Sequence, residues 1–234
     1  MCSLVTRLVF VHGSVGNAAA TWAAQAELES RFECVFLTRS GYPPGELLER
    51  IDFDEQADDV AAELRAGDHL VGHSYGAVVS LLAAARHPEL ASLTVNEPPA
   101  FGVARGHPAV EAFLARYAEF DWTTAREYLD FFLPLVGSAI SFPDPLPPAL
   151  EQGARAAMAE RTPDQAEIPF DELAAAPFPK LVVSGGHHAA FDAVCDVIEE
   201  RLNAERAVLP GAGHSLPRAP GYNEALVSFV ERAT

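Results

Sequence analysis

A doubly wound α/β fold with a mostly parallel sheet is what this 234-residue sequence predicts, and three observations carry the prediction. Short runs rich in Val, Leu and Phe alternate with helix-patterned stretches, the rhythm of right-handed βαβ units. The pentapeptide Gly72-His73-Ser74-Tyr75-Gly76 sits between one apolar run and one helical run. A long helical stretch then interrupts the alternation before two more strands and a closing helix resume it. At 25.0 kDa the chain is long enough for one large α/β domain carrying one insertion.

Leu4 to Val11, an apolar run ending at His12-Gly13-Ser14, reads as a buried parallel strand and the loop after it. Thr21 to Ser30 reads as a helix and Glu33 to Leu37 as the second strand, followed by the turn Arg39-Ser40-Gly41-Tyr42-Pro43-Pro44-Gly45. An acidic helix is expected near Phe53 to Arg65, then a strand at His69 to Val71 that enters the pentapeptide, then a helix from Ala77 to Arg86. Leu90 to Val95 is the next strand. Lys180 to Ser184 and Ala207 to Leu209 are the last two, and a helix from Tyr222 to Arg232 closes the chain.

Residues 98–178 break the pattern, so a core of residues 1–97 and 179–234 is expected to carry a helical insertion. Within the insertion Val110, Phe113, Leu114 and Tyr117 fall at i, i+3, i+4 and i+7, and Ala125, Tyr128, Leu129 and Phe132 repeat the spacing. Two amphipathic helices are predicted there, with a third from Ala149 to Glu160. Phe142-Pro143-Asp144-Pro145-Leu146-Pro147-Pro148 holds too much proline for a helix or strand interior and reads as a connector.

Sixteen Lys and Arg against 33 Asp and Glu give a net charge of −17. So acidic a surface repels phosphate backbones and anionic headgroups, which disfavours nucleic acid and membrane partners. Cys2, Cys34 and Cys195 form an odd set without CxxC or Cys/His ligand spacing, so neither a disulfide framework nor a zinc site is indicated. A reducing cytoplasm is the expected location. Gly13-Ser14-Val15-Gly16 is too short for a dinucleotide fingerprint, and no cofactor is implied. His187-His188 has no nearby acidic or thiol pattern to complete a ligand set, so no metal is expected.

Ser74 is the candidate catalytic atom. A serine presented on a turn this sharp needs neighbours nearly free of side chain two residues to either side, and Gly72 and Gly76 meet that need. A parallel sheet with Ser in a Gly-x-Ser-x-Gly turn, a helical insertion after the following strand and a late histidine resembles the α/β-hydrolase superfamily over essentially the whole chain. The resemblance implies Ser74 as nucleophile and His214, in Leu209-Pro210-Gly211-Ala212-Gly213-His214-Ser215 after the last strand, as the base. It implies an oxyanion hole made of the Ser14 and Tyr75 amides. Around these, substrate contacts are expected from His12, Gly13, His73, Phe131 and Phe132, although His12 also reads as a histidine that hydrogen-bonds the loop backbone. The Arg39 to Pro43 turn resembles a family loop near the site, or is a turn alone.

The acid departs from the family's commonest pattern. Most members place an Asp shortly after the penultimate strand, and here that stretch reads Ser184-Gly185-Gly186-His187-His188-Ala189-Ala190-Phe191-Asp192, with His188 near the usual position. A histidine cannot supply the negative charge that orients an imidazolium. Glu97, in Val95-Asn96-Glu97-Pro98-Pro99, ends the strand after the pentapeptide and resembles the position from which some members supply a Glu. Asp192 is the alternative acid, with a competing role at the start of the helix that follows.

By the same resemblance residues 98–178 form a lid above Ser74, and the reading is a serine hydrolase that acts on a small, largely apolar ester, thioester or amide through an acyl-enzyme, in a pocket lined partly by lid aromatics. Perhydrolysis, carbon–carbon hydrolysis and cyanohydrin lysis run on the same scaffold. A non-catalytic small-molecule receptor is the reading from another class, resting on the missing Asp. Oligomeric state has no signature in the sequence.

Overall fold

In the computed structural model, which describes residues 5–233, six strands form one sheet in which each neighbouring pair is parallel. They are β1 (Arg7–Val11), β2 (Glu33–Leu37), β3 (His69–His73), β4 (Ser92–Asn96), β5 (Lys180–Ser184) and β6 (Glu205–Val208), in the order β2-β1-β3-β4-β5-β6. Leu4, where the first strand is expected to begin, and Cys2 lie outside the described residues. The helices are α1 (Ala18–Thr21), α2 (Phe53–Glu63), α3 (Tyr75–Ala85), α4 (Pro108–Ala118), α5 (Ala125–Leu135), α6 (Pro148–Met158), α7 (Phe170–Ala175), α8 (Ala189–Leu202) and α9 (Tyr222–Ala233).

Successive side chains of a strand point to opposite faces, and the two layers divide accordingly. Val9, Val11, Leu70, Val95 and Val182 pack against α2, α3 and α8 on one face. Leu8, Phe10, Val71, Leu181 and Val183 meet Trp22, Leu28 and the Leu226, Phe229 and Val230 stripe of α9 on the other. Every residue of α3 from Tyr75 to Ala84 is buried, so this helix is the spine of the domain. Strand order reverses between β1 and β3, and a crevice opens at the carboxyl ends of strands at such a switch point.

The segment expected as a helix over Thr21 to Ser30 differs. Asn17 caps the short α1, and Ala23–Ser30 then winds as a 3₁₀ helix. Trp22, Gln25 and Leu28 are buried at intervals of three, the period of that tighter helix, so one narrow edge faces the core.

The insertion after β4 holds α4, α5, α6 and also α7, whose six residues are too few for the periodicity to reveal. Thr124 and Glu127 close a capping box at the start of α5. Pro148, read as part of the connector, instead occupies the first turn of α6, where a missing N–H costs nothing. Val15 packs with Tyr128 and Leu129 of α5 and Ala154 and Ala157 of α6, so the insertion rests on the loop that follows β1.

Candidate active site

Strand register sets the site. His73 pairs with Asn96, so Ser74 and Glu97, each one residue further, stand side by side at the carboxyl edge of the sheet. Val11 pairs with Gly72, which brings the His12-Gly13-Ser14 loop to the same level. Ser74 adopts φ 54° and ψ −126°, a conformation L-residues rarely occupy. The turn holds because β3 and α3 meet without intervening side chains. A Cβ on Gly76 would lie 2.2 Å from the His12 carbonyl oxygen, and one on Gly72 would lie 2.6 Å from Ala77 Cα. The Ser74 amide donates to the Asn96 carbonyl at 2.9 Å, and Asn96 Nδ2 donates to the Gly72 carbonyl at 2.7 Å.

Ser74 Oγ lies 2.9 Å from His214 Nε2, and His214 Nδ1 lies 2.7 Å from Glu97 Oε2. With Nδ1–H donating to the carboxylate, Nε2 presents a lone pair to the serine hydroxyl. Glu97 also has a positive φ of 42° and is fully buried. Burial pushes its pKa up, but the neighbouring His187 ring and the bonds from His214 and the Gly185 amide favour its charged form, outweigh burial and hold it at about 2. Asp192 does not join the series. His188 caps α8, Asp192 falls in its first turn, and its carboxylate lies 3.6 Å from Arg206 Nη2.

His73 Nε2 donates to the carbonyl of His214 itself at 2.8 Å, fastening the histidine loop to β3. Burial lowers its pKa to about 3, helped by the neighbouring His214. His12 Nδ1 donates to the Gly13 carbonyl at 2.7 Å, and Nε2 accepts the Arg39 amide at 3.0 Å. Both ring nitrogens are thus spent on loop backbone, and burial drives its pKa well down.

Two cavities meet at Ser74. The smaller, about 50 Å³, runs between Tyr75, Phe113, Leu114, Tyr117, Tyr128 and Phe191. The larger, about 180 Å³, is bordered by His73, His214, Leu133, Ile140 and Phe142. Ser14, Phe132 and Val136 are common to both. The amides of Ser14 and Tyr75 donate to no acceptor among the described residues. Of the expected substrate contacts, Phe132 and His73 border a cavity, while three do not. His12 is turned into the loop, Gly13 abuts Ser74 and His73, and Phe131, rotated 100° from Phe132 around α5, stacks on Phe120 at 4.4 Å.

A buried carboxylate network lies beneath the smaller cavity and is only faintly signalled in the sequence. Glu160, just past α6, accepts from Arg39 Nη2 at 2.6 Å and Tyr42 OH at 2.6 Å on one oxygen, and from Ser14 Oγ at 2.5 Å on the other. Arg39 also reaches Gln56 and the Gly13 carbonyl, and its guanidinium stacks over Tyr42 and Tyr75. The Arg39 to Pro43 turn is therefore part of the site's foundation. An arginine two residues past an apolar strand is the one hint, because a buried guanidinium requires a carboxylate.

A parallel sheet with a strained Ser on its strand–helix turn, hydrogen-bonded to a His that is itself bonded to a carboxylate, defines the class of α/β hydrolase scaffolds. The chain belongs to the alpha/beta hydrolase family, whose model matches residues 8–223. Solved structures agree in fold. NosK from Streptomyces actuosus superposes with a TM-score of 0.70 at 22% identity over 98% of this chain and 99% of its own. The N-acyl homoserine lactonase AidH gives 0.71 at 17% identity over 98% and 90%. Carboxylesterase CesB (YbfK) from Bacillus subtilis gives 0.63 at 20% identity over 97% and 84%. At such identities the likeness carries the fold and nothing finer. Comparison with curated protein sequences finds no match. Among the described residues no helix is long and apolar enough to cross a membrane.

Proposed function

We propose that the protein is a serine hydrolase that cleaves a small, largely apolar ester, thioester or amide through an acyl-enzyme. The carrying observation is the unbroken series Ser74–His214–Glu97, at 2.9 and 2.7 Å, ending where two apolar cavities meet. Ser74 Oγ attacks the carbonyl carbon while its proton passes to His214 Nε2, and the Glu97 carboxylate stabilises the resulting imidazolium. The oxyanion is received by the Ser14 and Tyr75 amides, which have no other acceptor among the described residues. His214 gives its proton to the leaving group. Water, deprotonated by the same ring, then releases the acyl group as an acid and restores the serine. Glu97 meets the requirement whose absence favoured a receptor. The carboxylesterase and lactonase among the structural neighbours fit transfer of an acyl group to water.

The cavities divide the substrate. His214 borders the larger cavity and not the smaller, and a leaving group has to lie beside the imidazole that protonates it. The 180 Å³ cavity therefore takes the leaving group and the 50 Å³ cavity the acyl chain. At roughly 10–15 Å³ for each water-sized group, the acyl side holds about four such groups, which favours short acyl chains. The net charge of −17 disfavours polyanionic substrates, and free Cys34 and Cys195 suit action in a reducing cytoplasm.

A fluorophosphonate probe and an aryl acetate test the reading together. The native protein should be labelled and should hydrolyse the ester, and Ser74→Ala should do neither. Folded native protein that is neither labelled nor active would overturn the hydrolase reading in favour of a receptor.

A further inference from the structure

Glu97 is shared by two imidazoles. Its Oε2 meets His214, while Oε1 accepts the Gly185 amide at 2.7 Å and lies 3.2 Å from His187 Nδ1, off the line of a hydrogen bond. His187 comes from the loop after β5. Its Nε2 lies 3.1 Å from the Val136 carbonyl at the end of α5. A carbonyl only accepts, so Nε2 carries a hydrogen. In the neutral ring this leaves Nδ1 a bare lone pair facing a carboxylate. Only the imidazolium, with hydrogens on both nitrogens, suits both neighbours.

We propose that His187 is a positioning residue that shares the charge of Glu97 with His214, so that protonating His187 weakens the support the acid gives to the His214 imidazolium. The proposal rests on the hydrolase reading above. Two further groups around the ring are histidines, His214 with its ring centre 6.4 Å away and His188 at 6.1 Å. Asp192 faces it from α8, α5 presents the Val136 carbonyl, and Phe191 covers one face of the ring. The neighbouring Glu97 raises the pKa of His187 above the ordinary histidine value against partial burial, with help from the Val136 carbonyl and Asp192.

The transition state requires His214 to become a cation. A cation already seated on the other oxygen of Glu97 makes that state costlier, as like charges do at this range in a poorly solvated site. Activity should therefore show a partial loss when His187 takes up its proton, separate from the complete loss that removes the base. A pH-independent strut between α5 and Glu97 would produce no partial loss.

The test is the pH profile of kcat/KM for an aryl acetate in native protein and His187→Gln, with fluorophosphonate labelling of Ser74 in parallel. Gln keeps a donor for Glu97 but cannot ionise. The variant should show a single-step acidic limb that lacks the partial loss. Imidazole NMR of the native protein, which depends on no substitution, should show the His187 and His214 signals each reporting the other's ionisation. Labelled, active protein whose limb is unchanged in the variant, or whose histidines titrate independently, overturns the proposal and leaves the hydrolase reading standing. Native protein that is not labelled overturns the hydrolase reading and the proposal with it.

Discussion

Glu97 and His214 lie 117 positions apart in the chain and 2.7 Å apart in space, whereas Asp192, on the loop-to-helix segment where an acid is expected, faces Arg206 instead. Glu97→Gln should therefore lower kcat for an aryl acetate by on the order of 10⁴, the cost of losing the orienting carboxylate in a serine triad. Asp192→Asn should leave turnover essentially intact. A crippled Asp192→Asn beside an active Glu97→Gln would reverse the assignment.

The Arg39–Glu160 pair is buried on both sides, with side chains 0% and 6% exposed. Removing one partner of such a pair strands the other charge and costs about 3–5 kcal/mol. Arg39→Ala and Glu160→Ala should each lower the urea unfolding free energy by that order, and Arg39→Met with Glu160→Met should recover a large part of it. Glu160→Ala should also reduce kcat, since Ser14 Oγ loses its anchor. Single variants as stable as the native protein would show that the network is not structural.

Acid should unfold the protein early. His73 is held at about 3 and His69 at about 4, chiefly by burial, and His12 is likewise lowered well below the ordinary histidine value. A histidine whose folded pKa is depressed binds a proton in the unfolded chain but not in the native one. Stability is thus intact above the unfolded value near 6.5 and declines as pH falls towards the folded values. Glu97, held at about 2, adds a loss of the same sign below its ordinary value near 4.5. Each histidine contributes a slope of about 1.4 kcal/mol per pH unit. Urea midpoints measured from pH 7.5 to 4.5 should drop steeply below about 6. A flat profile would mean that the three rings take up protons without unfolding.

Acyl length should discriminate strongly. Aryl acetate and butyrate should be turned over with much higher kcat/KM than the octanoate, because the smaller cavity is about 50 Å³. Leu114→Ala, which shortens a wall of that cavity, should shift the preference towards longer chains. Equal rates across the native series would place the acyl chain in the other cavity.

Signals confined to a few residues were legible in the sequence. The apolar runs that became β1 and β3 to β5, and the Gly72 and Gly76 spacing around Ser74, express local sterics and periodicity. The spacing of Trp22, Gln25 and Leu28 was also there to read, as a period of three in place of 3.6. What the sequence left open depends on register across the sheet and on where a helix begins. Glu97 stands beside Ser74 because Asn96 pairs with His73, and Asp192 is withdrawn because α8 starts at Ala189. Glu160 reaches Ser14 across 146 positions through the packing of α6 on the β1 loop, which no local pattern encodes.

The bond from His73 to the backbone oxygen of His214 has a mechanical corollary. The residue preceding Ser74 holds His214 by its main chain, so both ends of the Ser74–His214 hydrogen bond ride on one block. On the hydrolase reading, any rearrangement that admits substrate then falls to the α4 to α6 side of the crevice, which supplies the aromatic walls of both cavities.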